Sequence, residues 1–338
     1  MTNQAAEPGP MSDGSVGWGI LATGGIARLF TTDLRTHGHR VVAVGSRSLP
    51  AAQAFADAFQ IPQAYGSYEE LVADPGVDIV YVATPHNFHA ANAVLALKHG
   101  KHVLVEKAFT LSAAQARRVA DLGRAHGLLV MEAMWTRFLP HMEQVRSLVR
   151  EGRIGEVRWL HADHTQSLPT DPQHRINNPH LAGGALLDLG IYPVSFAWDV
   201  LGRPVEVAAQ ATFKASGVDA SVATIFRHEH GALSTTYSSS EMRGTNTAYV
   251  LGTRGRIEIA PVWYTPTKVT LYGEDNSVTD IFEPAVSRRG MQFQAAEVER
   301  LLREGKTASP LLTPDESVTI MATLDEVRAA IGLRYPGE

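Results

Sequence analysis

Gly19-Ile-Leu-Ala22-Thr23-Gly24-Gly25-Ile26-Ala27 forms a glycine-rich turn between an apolar run and a helical pattern. Backbone N–H groups that open a helix in this setting can take a pyrophosphate. Gly24 lets the backbone close on a phosphate, and Ala27 lets the helix pack on the strand. Ala22 stands where the fingerprint usually has its first glycine. In isolation the segment is as readily a plain turn; the strand before it, the helix after it and three further βα units favour a dinucleotide. Ala22, Thr23, Gly24, Gly25 and Ile26 are therefore candidate cofactor contacts. An NAD site expects Asp or Glu about 20 residues further on. Here the next apolar run ends in Gly45-Ser46-Arg47-Ser48, with no acid before Asp57. Arg47 can hold a 2′-phosphate by charge-assisted bonds and Ser46 can add another. A solvated surface arginine is the alternative, but the position favours NADP over NAD.

Glu106-Lys107 closes a later apolar run. Strand C-termini face the ligand crevice in doubly wound sheets, so Lys107 would serve as proton donor or electrostatic clamp beside a nicotinamide; a solvated loop lysine is the alternative. Thr84-Pro85-His86-Asn87-Phe88-His89 follows another run. Thr84, Pro85, His86 and His89 would flank the cofactor there, or the histidines would only satisfy loop hydrogen bonds. In Gly183-Gly-Ala-Leu-Leu-Asp188-Leu-Gly-Ile-Tyr192 the acid and the phenol are four apart, on one face if the segment is helical. A carboxylate among leucines needs a partner. Asp188 reads either as a helix cap beside a core tyrosine, or as the partner of Lys107 and Tyr192 in catalysis. Trp135 and Arg137 line a substrate cleft or pack between domains. Asn177 and His180 are candidate hydroxyl binders. The 14 histidines are scattered singly without paired ligand spacing, so no metal is expected.

These groups need elements to position them. From residue 16 short, nearly continuous apolar runs alternate with helical segments through residue 132, the pattern of a parallel sheet covered on both faces. After Pro140 a helix, an alternating strand, a Pro/Asn/His-rich loop (166–180) and a helix from about 184 to 200 lead into six alternating segments between about 205 and 273. Helices at about 291–304 and 314–332 end the chain. The fold class expected is an α/β doubly wound domain over residues 15–139, followed by an α+β domain with a mostly antiparallel sheet over residues 140–338. Residues 1–14 read as a disordered tail without the basic start and apolar stretch of a secretory signal, so cytoplasmic residence is expected.

Composition bounds the partners. The 338 residues carry a net charge of −5, with 44% apolar and 19% charged residues and no cysteine. No nucleic-acid partner is expected from that balance, no disulfide or thiolate chemistry is possible, and no apolar run approaches the roughly 18 residues of a membrane span.

With these motifs in place, the chain resembles the glucose–fructose oxidoreductase/inositol dehydrogenase (Gfo/Idh/MocA) family over nearly all its length after the tail. Glu106-Lys107 is similar to that family's Glu-Lys-Pro motif, and 183–192 to its Gly-Gly-x-x-x-Asp-x-Gly-x-His/Tyr segment. The run Met131–Pro140, with Tyr192 in place of histidine, resembles the dimeric dihydrodiol dehydrogenase and NADP-linked D-xylose dehydrogenase branch. The resemblance implies a Rossmann domain, an open second sheet that pairs copies into a homodimer or homotetramer, and hydride transfer between NADP and a sugar, polyol or dihydrodiol. It places Lys107, Asp188 and Tyr192 at the catalytic positions. A free phenol has a pKa near 10, so the Lys107 cation must favour phenolate against the charge of Asp188. Ala108 replaces the motif's proline, which leaves the isomer of that peptide bond open. Two rival readings are an NADP-sensing regulator without chemistry, which would lack this trio, and an NAD-dependent glycosidase, which Arg47 disfavours.

Overall fold

The computed structural model describes residues 16–336; the expected tail at 1–14 lies outside them. By contact the described residues divide into two compact units, one holding 16–135 together with 288–318, the other holding 136–287 with 319–336. The sequence reading keeps everything after residue 139 together, whereas 288–318 folds with the first unit.

The first unit is built on a six-stranded sheet in the order β3-β2-β1-β4-β5-β6. Its strands are β1 (Trp18–Leu21), β2 (Val41–Gly45), β3 (Gln63–Tyr65), β4 (Ile79–Val82), β5 (His102–Glu106) and β6 (Val130–Ala133). All five neighbouring pairs are parallel. Residues of β1, β2 and β4 are buried on both faces, which explains why these runs are apolar without alternation. The connecting helices are α1 (Gly25–Thr36), α2 (Leu49–Phe59), α3 (Tyr68–Ala73), α4 (His89–Lys98) and α5 (Ala113–His126). Ser67 and Ser112 cap α3 and α5 by accepting the N–H groups of Glu70 and Gln115.

Helix α8 (Gln292–Arg303) returns to this sheet. Its Glu299 is fully buried and accepts the Trp18 indole N–H at 2.9 Å and faces the His39 ring at 2.8 Å. Asp33 accepts the Met291 N–H at 3.0 Å at the head of the same helix.

The second unit carries an eight-stranded sheet in the order β14-β13-β12-β11-β7-β10-β9-β8. Its strands are β7 (Val157–Thr165), β8 (Pro204–Phe213), β9 (Asp219–His228), β10 (Leu233–Ser239), β11 (Ala248–Gly252), β12 (Gly255–Ile259), β13 (Val269–Gly273) and β14 (Val278–Phe282). The β7–β10 pair is parallel and the other pairs are antiparallel. Strand β14 is absent from the sequence reading. It is a five-residue edge with mostly exposed side chains, so no apolar face marks it. Alternation along β9 buries Val222, Thr224 and Phe226 and exposes Ala223, Ile225 and Arg227. The exposed face carries Trp159, Ile225 and Leu233, at 40%, 54% and 44% exposure, beside a His161–Tyr249 ring stack.

Helices α6 (Pro140–Arg150), α7 (Ile191–Leu201) and most of α9 (Pro314–Ile331) complete the unit. The continuous helix expected from 184 is instead a π-turn at Leu186–Gly190 followed by α7. The helical run Pro179–Leu201 is long and apolar enough to cross a membrane by composition, but 89% of its apolar window is buried, as in a core helix.

Candidate active site

The strand order of the first sheet switches direction between β1 and β4, and ligands of such sheets bind beyond the strand C-termini at that point. The turn from β1 to α1 lies there. Ala22 adopts a φ of 88°, a glycine-type conformation that costs an alanine about 1 kcal/mol, and its N–H is held by Gly45 O at 2.9 Å. Helix α1 opens with neither a side-chain cap nor an acid in its first turn. A methyl group added to Gly24 or Gly25 would meet no protein atom within 4 Å. Packing therefore does not require glycine at either position; close approach of an anion to the first N–H groups of α1 would. Thr23 and Ile26 are partly exposed beside them, and Ala27 is buried against the sheet. The residues fit a dinucleotide pyrophosphate.

Arg47 is exposed just past β2 and reaches the Tyr68 hydroxyl, whose pKa burial raises and the guanidinium lowers. Ser46 Oγ accepts the Ser48 N–H at 3.4 Å. Past β4, His89 departs from its expected role at the cofactor. It is 1% exposed, with Nδ1 2.9 Å from Ala108 O and Nε2 2.8 Å from Thr84 O. Burial depresses its pKa to about 4, so the ring is neutral, carries one N–H and donates to only one carbonyl at a time. His89 ties the loop after β4 to the loop after β5. Thr84 is also held by the Asn92 amide at 3.2 Å, Pro85 is partly exposed, and His86 packs edge-on against His89.

Glu106 is buried at the end of β5. It accepts the Tyr81 hydroxyl proton on one oxygen and the Lys107 N–H at 3.2 Å on the other, so it fixes the backbone of the lysine rather than facing solvent. Lys107 is partly exposed, and the Lys107–Ala108 peptide is cis.

In the second unit the π-turn presents Asp188, 6% exposed. Arg175, which the sequence reading did not select, grips it with both guanidinium nitrogens at 3.1 Å. Such a fork on two carboxylate oxygens is the strongest form of this pair; the Arg-Ile-Asn triplet in the 166–180 loop was its only trace in the sequence. Tyr192, in the first turn of α7, is 6% exposed, and its ring meets His164 edge-on at 4.8 Å. His164 stacks on Tyr264 at 3.7 Å and faces the Gln166 amide at 2.9 Å. His164 and Tyr264 also escaped the sequence reading, because nothing local links strand β7, helix α7 and residue 264.

Three expected substrate contacts have other tasks. Both ends of the Asn177 amide are engaged: its NH₂ donates to the carbonyls of Pro169 and Asp171 at 2.8 Å, and its oxygen accepts from Lys214 Nζ at 2.7 Å. It staples the loop. Arg137 is 3% exposed, donates to Ser195 O at 3.0 Å and pairs with Asp199 at 3.4 Å. Trp135 is 1% exposed in the turn after β6 and acts as core. His180 is exposed in the turn that Asn178 caps.

The chain matches two family models, "Oxidoreductase family, NAD-binding Rossmann fold" over residues 16–134 and "GFO/IDH/MocA C-terminal domain" over residues 142–258. It is 38% identical to the trans-1,2-dihydrobenzene-1,2-diol dehydrogenase of Mus musculus, covering 94% of this chain and 98% of that one. It is 39% identical to the D-xylose 1-dehydrogenase (NADP(+)) of Hypocrea jecorina, covering 94% and 93%. A solved 3-ketoreductase from Actinomadura kijaniata, in complex with NADP and TDP-benzene, aligns with a TM-score of 0.84 at 26% identity over 94% of this chain and 98% of that one. Fold, phosphate turn and relatives together define an NAD(P)-dependent oxidoreductase. The chain belongs to the Gfo/Idh/MocA family.

Proposed function

We propose that the protein is an NADP-dependent dehydrogenase acting on a secondary alcohol or hemiacetal carbon of a sugar, cyclic polyol or dihydrodiol. The observation that carries the cofactor half is the uncapped start of α1 with open space over Gly24 and Gly25. Arg47, with no acid near it after β2, supports a 2′-phosphate. The names of the relatives support the substrate class. When bound, the nicotinamide exchanges a hydride with the substrate carbon.

Lys107, Asp188 and Tyr192 act on the hydroxyl at that carbon. Tyr192 takes the hydroxyl proton, the Lys107 ammonium favours the phenolate that does so, and Asp188, gripped by Arg175, orients the substrate. Residues 16–135 with 288–318 hold the cofactor, and residues 136–287 select the substrate. The exposed face around Trp159, Ile225 and Leu233 pairs copies of the chain. We place the protein in the cytoplasm, where a dissociable NADP pool would meet it; fractionation of native cells, with NADPH formation read in the soluble lysate, checks that assignment.

The experiment is absorbance of reduced nicotinamide while NADP is offered with aldoses, inositols and dihydrodiols in turn. Net NADPH formation with one class is expected. NADP binding without turnover on any of them would replace the reading with a sensor, and sugar release without net reduction would replace it with a glycosidase. In the same assay Lys107→Met should lower turnover by about 10²- to 10⁴-fold and leave NADPH binding nearly unchanged. Undiminished turnover in that variant removes the lysine from the mechanism.

A further inference from the structure

The π-turn that carries Asp188 is fixed from behind by a carboxylate that the proposed chemistry does not use. Asp219, at the head of β9, is 0% exposed and accepts the Leu186 N–H at 2.6 Å. The backbone N–H groups of Ala185 and of Asp219 itself also bear on the carboxyl. Gly184, with a φ of 120°, closes against this carboxyl, since an added methyl would stand 2.9 Å from its Cγ. At the other end of the turn a methyl on Gly190 would stand 2.9 Å from Ser238 Oγ of β10. The turn is thus seated between β9 and β10, with Arg175 gripping Asp188 at its middle.

We propose that Asp219 is a positioning residue of the active site: through the Leu186 N–H it sets the π-turn, and thereby Asp188 and the adjoining Tyr192. The inference rests on the roles given above to those two residues. π-Turns inside helices are frequent at functional sites, where a displacement of about 1 Å costs up to about 100-fold in rate.

The ionised form of Asp219 holds a backbone N–H more strongly than the neutral form does. Burial lifts its carboxyl to about 6, against the lowering effect of backbone N–H groups and Lys214. The charge that bears on it is Lys214 from the connection before β9, itself acted on by Glu241, while Asp188 on the π-turn is paired with Arg175. On β10, Ser239 is engaged by Ser221 of β9 at 2.8 Å. The hold on the turn therefore tightens as pH rises through about 6.

The test compares wild type, Asp219→Asn and Asp219→Ala, with D-xylose and NADP as probe and Tyr192→Phe alongside. At pH 7.5, Asp219→Asn should lower kcat several-fold and Asp219→Ala by about 10- to 100-fold, with the KM for NADP unchanged in both. The wild-type inflection of kcat near pH 6 should vanish in Asp219→Asn, and amide exchange across 185–192 should quicken. Asn is isosteric and keeps an acceptor, so it carries the test if the alanine variant does not fold. Wild-type kcat in Asp219→Asn, or an inflection that survives it, overturns the proposal. If Tyr192→Phe itself keeps full turnover, the catalytic reading fails first, and the amide-exchange comparison still decides whether Asp219 seats the turn.

Discussion

Asp219 weakens the protein that it organises. Its carboxyl is neutral in folded and unfolded chains below about pH 4. As pH rises through about 6 the buried group must ionise, a penalty complete above that value. Two pH units correspond to about 3 kcal/mol, so Asp219→Asn should gain stability over wild type in urea denaturation at pH 8 and gain less at pH 5. His89 and His141 work in the opposite sense: burial depresses each to about 4, so their contribution is intact above about 6.5 and is lost as pH falls toward 4. Both variants share that acid limb, and it cancels in the comparison. Arg47 makes a different residue-level claim. Charge-assisted bonds to a phosphate are worth about 1.5–3 kcal/mol. Arg47→Gln should therefore raise the KM for NADP by roughly 10- to 100-fold and leave that for NAD nearly unchanged; equal effects on both would detach the arginine from the 2′-phosphate.

Helix α1 offers a test at the level of an element. Gly24→Asp places an anion where the helix start would attract one, in space that no protein atom occupies within 4 Å. NADP affinity should fall at least about tenfold, with the melting temperature kept or slightly raised by the new cap. A matching loss of stability would mean the glycine serves the fold instead.

Elements like α1 were legible because their signals are local. Continuous apolar runs marked β1, β2, β4 and β5, and the turn residues around them marked the switch from strand to helix. The π-turn was not legible, since its seat is a contact between Leu186 and Asp219, 33 positions apart. Lys107, Asp188 and Tyr192 could be singled out by type and spacing. Arg175, His164 and Tyr264 could not, because what matters about them is a partner on another element. The side-chain engagements that occupy Asn177, Arg137 and His89 were invisible for the same reason.

The solvent face of the eight-stranded sheet belongs to the whole molecule. Ile225 and Leu233 stand about half exposed on the same sheet as Trp159, and exposed large apolar side chains gathered on one face mark association sites when they form a patch. If copies pair through this face as proposed, Ile225→Glu should sediment as a monomer at micromolar concentration where wild type does not, with NADP binding intact; identical sedimentation of the two would remove the face from any pairing.

The return of α8 to the first sheet has a consequence for synthesis. The carboxylate that takes the Trp18 indole N–H is residue 299, so β1 emerges from the ribosome long before its partner exists. At about 5–20 residues per second, the nascent nucleotide-binding half waits on the order of ten seconds or more with a buried donor unanswered and one flank of α1 uncovered. A chain stopped at residue 139 should stay in that unfinished state, bind chaperones and resist purification as an independent module.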